Sequence, residues 1–200
     1  VPAFLKETGG NMQKITKVTV HAGHNKQGRI ACGASDYIDE STEARIICRK
    51  VIRLLKKHKI TAYNCTVNNG TCQNDVLKKI CKKCNAKERQ LDISIHFNAC
   101  SHSKADGRTK GVEVLCRTTD GVRGDVARRI CSQISMIGFA NRGVKTESDL
   151  YFLNRTNRPA ILVEVCFVDD QDDARLYKQN KDAVAQAIVK AVLNYNKIYR

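Results

Sequence analysis

Apolar residues recur along this chain in two rhythms, short runs and helical spacings, that take turns from end to end. Ile15, Val18 and Val20 stand among Thr and Lys, which predicts a strand ending at His21. A loop with glycines, residues 23–33, follows. Ala44, Ile47, Cys48, Val51, Leu54 and Leu55 then return every three or four residues, behind an Asp39-Glu40-Ser41-Thr42 segment able to cap a helix N-terminus. Residues 60–65 predict a second strand, Asn68-Asn69-Gly70 a turn, and Val76, Leu77, Ile80, Cys81 and Cys84 one face of a second helix. Residues 91–96 predict a strand buried on both faces, as in a parallel sheet. After a polar loop at 101–109, residues 111–116 predict another strand, and Val122, Val126, Ile130, Ile134 and Ile137 line a helix. Asn141-Arg142-Gly143 starts a loop leading to a short strand, Leu150-Tyr151-Phe152-Leu153. Pro159 introduces a strand at 160–165, and Val184, Ala187, Ile188, Ala191, Val192 and Tyr195 mark a closing helix. Strands alternating with helices predict an α/β fold: a mostly parallel, twisted sheet of about six strands flanked by helices on both faces.

Composition narrows this picture. A chain of 200 residues fits one domain, taken here as 12–200. No apolar run approaches the roughly 18 residues that a membrane-crossing helix needs, so no membrane partner is expected. The net charge of +15 draws the protein toward polyanions, either nucleic acid or an anionic cell wall. Each cluster taken alone, such as Arg49-Lys50 or Lys56-Lys57, reads as a solvated helix face, so only the total is informative. Ten cysteines invite a disulfide reading, but several occupy places where a small hydrophobe would sit, Cys48 beside Ile47 and Cys131 beside Ile130. Free thiols made in a reducing compartment, as in an anaerobe, are the simpler expectation. Residues 1–11 lack the basic start and apolar centre of a secretory signal and read as a short leader or an expression remnant ahead of Met12.

In open α/β sheets the site lies at the carboxyl ends of the strands. His24, His96 and Glu164 all fall there. A catalytic zinc takes about three protein ligands, commonly imidazole and carboxylate, and leaves a position open for water. His24 and His96 supply two nitrogens, and Glu40 or Glu43, at the start of the first helix, could complete the set.

The pieces stand in an order that resembles the zinc-dependent N-acetylmuramoyl-L-alanine amidases of the Amidase_3 type. Gly23-His24 matches that family's Gly-His motif, Glu40 its Glu before the first helix, and Ser94-Ile95-His96-Phe97-Asn98-Ala99 its Ser-Ile-His-x-Asn-Ala motif. Val163-Glu164-Val165-Cys166-Phe167 matches the late Val-Glu-x-x-Phe motif, and Arg142-Gly143-Val144-Lys145 and Leu150-Tyr151-Phe152-Leu153 also resemble family segments. The resemblance implies Zn2+ held by His24, Glu40 and His96, with Glu164 as the acid/base. It implies hydrolysis of the amide between N-acetylmuramic acid and L-alanine in the peptidoglycan of a Gram-positive cell wall, with anionic wall polymers as further partners. It further suggests a phage endolysin made in the host cytoplasm and released, or an autolysin secreted with its leader removed. The chain departs from the pattern in carrying His21-Ala22 where the family often has Asp-Pro, so His21 stands as a structural residue or an alternative ligand. Val165 and Cys166 are bulkier than the small residues usual after the catalytic Glu.

Competing readings are a zinc peptidase acting within the stem peptide and a basic nucleic-acid-binding module. The second is disfavoured, because few aromatics are present for base stacking and no nucleic-acid motif is recognisable. Cys81 and Cys84 read as part of an apolar helix face rather than a second zinc site, and Asp169, Asp170, Asp172 and Asp173 as a helix start rather than a calcium loop. Glu113 is a further carboxylate on a strand, near the site or structural.

Overall fold

A computed structural model describes residues 13–198. The reading of residues 1–11 as a leader lies outside the described residues. Among the described residues six strands and five helices follow in order, alternating except that β4 follows β3 directly: β1 (Lys17–Ala22), α1 (Glu40–Lys57), β2 (Thr61–Asn64), α2 (Gln73–Asn85), β3 (Leu91–Asn98), β4 (Val112–Cys116), α3 (Gly121–Ser135), β5 (Asn141–Thr146), α4 (Tyr151–Arg155), β6 (Ala160–Phe167) and α5 (Gln171–Asn196). The strands form one sheet in the order β2-β1-β3-β6-β4-β5. All neighbours run parallel except β4 and β6, which are antiparallel. The expected mostly parallel α/β sheet with helices on both faces is the observed one.

Alternation within each strand assigns its side chains to two layers. Val18, Val20, Ile93, Ile95, Ile161, Val163 and Val165 pack with residues of α1, α3 and α5 into the larger core. On the opposite face Ala160 and Leu162 join Val76, Ile80 and Cys84 of α2 and Phe152 and Leu153 of α4 in a smaller core. Polar strand residues share that second face. Thr19 donates its hydroxyl proton to Asp92, and Arg89 forks onto the same carboxylate at 2.8 and 2.7 Å, a pair almost wholly removed from water.

Helix boundaries follow local chemistry. The Asp39 carboxylate accepts from the Thr42 amide at 2.7 Å, satisfying one of the free N–H groups of the first turn of α1, and Lys56 and Lys57 stand at its negative end. Asp170 does the same for α5 by accepting from the Asp173 amide at 2.9 Å.

Two expected elements differ. The predicted loop at Asn141-Arg142-Gly143 is the start of β5, an edge strand paired only with β4; its residues are exposed or half-buried throughout, so no apolar alternation marks it. The predicted strand Leu150-Tyr151-Phe152-Leu153 is instead the start of the short helix α4, with Leu150 as its N-cap. Four consecutive apolar residues carry no period, and here Phe152 and Leu153 turn into the smaller core while the Asn154 amide bonds back to the Leu150 carbonyl at 3.2 Å. β3 and β6 also run two residues beyond their predicted ends, through an irregularity in their pairing between His96 and Asn98. Each of the ten cysteines is free, as expected.

Candidate metal centre

His24 leaves the sheet two residues after the end of β1, once Gly23 has donated its amide to the Ile95 carbonyl of β3 at 3.1 Å. That contact lays the loop against His96. A Cβ on Gly23 would stand 1.7 Å from His96 Nε2, so any larger residue there would expel the ring. The His24 carbonyl is held by Arg45 at 2.8 Å, and the fully buried Asn25 ties the loop to Ile30 and Gly70. Glu40, the first residue of α1, is 3% exposed, and its carboxylate is fixed by the amides of Phe97 at 3.1 Å and Ala34 at 3.0 Å. Gly33, with φ +84°, clears the space for it: a Cβ there would lie 2.4 Å from Glu40 Oε2.

These constraints point three donors at one another. Glu40 Oε1 lies 3.0 Å from His96 Nδ1 and 3.3 Å from His24 Nε2, and ligand atoms of the three residues all fall within 4.8 Å. Two ligands about 2 Å from a tetrahedral zinc stand roughly 3.3 Å apart, so the spacing suits one ion. Burial alone would raise the Glu40 carboxyl, but the two facing imidazoles outweigh it and hold the group well below the usual carboxylate range. Burial lowers His96, Glu40 opposing it. An ionised carboxylate beside a neutral imidazole is the protonation pattern that metal ligation requires.

Glu164 stands across from this group. In the β3–β6 register it pairs with His96, and in the β6–β4 register with Glu113, so the three side chains form one row on the α2/α4 face. Its Oε2 is buried and has no hydrogen-bond partner among the described residues. Burial, reinforced by Glu40 and Glu113, raises its carboxyl well above the usual range. The residues His21, Gly23, His24, His96 and Glu164 open onto a cavity of about 260 Å³, walled by Leu77, Leu115, Leu162, Leu150, Tyr151 and Phe152.

The structure therefore brings His24, Glu40, His96 and Glu164 to one place, and it separates others from them. Glu43, one turn along α1, accepts from Tyr177 and Lys181 of α5, both at 2.8 Å. His21 is 1% exposed, edge-on to Phe152, and contacts the Ala22 carbonyl at 3.2 Å; burial drives it down to about 3 and keeps it neutral. It belongs to the cavity wall and not to the donor group. Cys81 and Cys84 lie in the smaller core, where Cys84 Sγ stands 3.3 Å from the Thr19 hydroxyl oxygen. The acidic run starts α5 and also straps the 100–111 loop, accepting backbone amides of Cys100, Asp106, Gly107 and Gly111.

Sequence reasoning left Glu113 unplaced and missed its partners. Asn98 donates to it at 2.7 Å and Arg142 at 2.8 Å. The period of β3 carried the signal for Asn98, which falls on the same face as His96 two residues earlier.

Fold and site together define an α/β protein with a His-Glu-His donor group at its strand ends. A family model described as N-acetylmuramoyl-L-alanine amidase, Amidase_3, matches residues 18–194, and the chain belongs to that family. It is 34% identical over 180 residues to an "Uncharacterized 38.4 kDa protein" of Clostridium perfringens, covering 88% of this chain and 50% of the relative. It is 29% identical over 167 residues to the endolysin of Bacillus phage SPP1, covering 82% of this chain and 59% of that protein. The chain thus spans little more than half the length of these curated relatives. Among solved structures, the catalytic domain of an endolysin targeting Clostridia Difficile superposes with a TM-score of 0.78 at 25% identity, over 90% of this chain and 97% of that one.

Proposed function

We propose that this chain is the hydrolytic unit of a zinc-dependent peptidoglycan amidase, cutting between the lactyl group of N-acetylmuramic acid and the L-alanine of the stem peptide. The observation that carries the reading is the row formed by His96 and Glu164, with Glu40 and His24 closing on His96 from one side and an unpartnered carboxylate oxygen on the other. His24 Nε2, Glu40 Oε1 and His96 Nδ1 are the atoms that would hold zinc. Zinc bound there supplies a Lewis acid for the scissile carbonyl and its oxyanion and lowers the pKa of water.

The remaining work falls to the chain. Glu164 takes the proton of the attacking water and returns it to the departing alanine nitrogen. Its burial suits that duty, since a carboxyl that binds its proton more tightly than usual can carry it from one step to the next. Leu115, Leu162 and Phe152 keep bulk water from that exchange, and the fixed carboxylate of Glu40 needs no reorganisation as charge develops.

Residues 12–200 act as one catalytic domain in this reading. The substrate is Gram-positive wall peptidoglycan, and the net charge of +15 draws the protein to anionic wall polymers. Delivery is that of a phage endolysin released from the host cytoplasm, which similarity to the phage SPP1 endolysin supports, or that of a secreted autolysin. No helix among the described residues is long and apolar enough to cross a membrane. The test is the product. Digestion of purified walls by the zinc-loaded protein should expose new N-terminal L-alanine, whereas new termini within the stem without free alanine would make it a peptidase.

A further inference from the structure

We propose that Arg142 receives a free carboxylate on the stem peptide, about two residues beyond the scissile amide, and so makes this enzyme selective for acidic stems. The inference rests on the amidase reading and adds a specificity determinant to it. Along the sheet the strands run β3, β6, β4, β5; the register sets His96, Glu164 and Glu113 side by side, and the hydrogen bond from Arg142 to Glu113 carries the line onto β5, where Arg142 stands at an irregularity beside Gly143, the residue paired with Glu113. With the carbonyl at the donor group and the departing amine at Glu164, the peptide leaving with that amine extends over β4 toward β5.

Arg142 is built to meet an anion there. Its Nε donates to Glu113 Oε2 at 2.8 Å, and its guanidinium lies over the Phe167 ring at 4.9 Å. Glu113 is itself anchored by Asn98 through its other oxygen at 2.7 Å. The guanidinium is thus fixed on one edge and one face, while its two terminal nitrogens make no hydrogen bond to any described residue and the side chain is 42% exposed. A planar fork with one edge free matches a carboxylate in bidentate geometry. Lys110 lies over the same Phe167 ring at 5.6 Å, but its ammonium donates to the Ser101 carbonyl at 2.8 Å and stands 4.0 Å from Asp169, which leaves the free fork of Arg142 to meet the anion. Neighbouring strands are about 4.8 Å apart, so a guanidinium drawn back to Glu113 sits one to two strand spacings from Glu164, within reach of the second stem residue. Glu113 acts as a positioning residue for Arg142.

The test uses zinc-loaded protein and two muropeptides that differ only at the second stem residue, one with a free α-carboxylate and one with a carboxamide. The wild type should favour the carboxylate form by about ten- to a hundredfold in kcat/KM. Arg142→Gln should bring that ratio close to one. Glu113→Gln, which keeps an acceptor for Asn98 but frees the guanidinium, should lower the ratio chiefly through KM. A wild-type ratio near one, or a full preference surviving in Arg142→Gln, would overturn the proposal. If the wild type cleaves neither substrate, the amidase reading fails on its own, and binding of L-alanyl-D-glutamate against its amide still decides the inference: tighter binding of the acid, lost in Arg142→Gln, supports it, and equal or absent binding overturns it.

Discussion

The two faces of the sheet are made from the same strands and carry opposite chemistry. In β3, Leu91, Ile93, Ile95 and Phe97 join the larger core beneath α1, α3 and α5, while Asp92, Ser94, His96 and Asn98 alternate onto the α2/α4 face. The apolar face is uniform from end to end. The polar face is graded: near the strand starts Thr19, Asp92 and Arg89 satisfy one another, and near the strand ends Glu164 Oε2 finds no partner among the described residues, although His96 bonds Glu40 and Glu113 bonds Asn98 and Arg142. A buried polar group must find a partner, so the end of the ladder where the protein supplies too few is where a metal and a substrate fit.

Substitutions along the two faces should therefore separate chemistry from stability. Glu164→Gln, at the open end of the ladder, should reduce hydrolysis by about 10²- to 10⁴-fold while zinc content and the urea midpoint stay at wild-type values. Asp92→Ala, at the closed end, leaves Arg89 buried without its counter-charge and should cost about 3–5 kcal/mol in urea unfolding. Ile95→Val, on the apolar face beside His96, should cost about 0.5–1.5 kcal/mol and leave turnover per folded molecule at the wild-type level. Cys81→Ala should change stability by about 1 kcal/mol and zinc content not at all. Loss of zinc in that variant would restore the cysteine pair as a metal site.

Much of this arrangement was legible in the sequence, and the reasons for the rest are physical. The apolar runs of β1, β3 and β6 and the helical spacing of α1, α2, α3 and α5 record burial directly. β5 records none, because an edge strand is held by its backbone and Asn141, Arg142 and Thr146 remain exposed. α4 was mistaken for a strand because its apolar run is shorter than the periods that distinguish the two. His24, His96 and Glu164 were legible as strand-end residues. Glu40 and Glu43 are alike in the sequence and differ in the three-dimensional path of α1, which aims the first at the imidazoles and the second at Tyr177 and Lys181. The clamp from Asn98 through Glu113 to Arg142 joins β3, β4 and β5, the first two standing on either side of β6, and no spacing along the chain announces it.

In the proposed function His24, Glu40 and His96 hold one zinc on which hydrolysis depends. Metal content measured alongside wall hydrolysis on the same sample tests it most directly. The expected result is about one zinc per chain, lost together with hydrolysis on treatment with a strong chelator, restored by zinc, and absent from Glu40→Ala. Metal-free protein that hydrolyses walls at the full rate would contradict it.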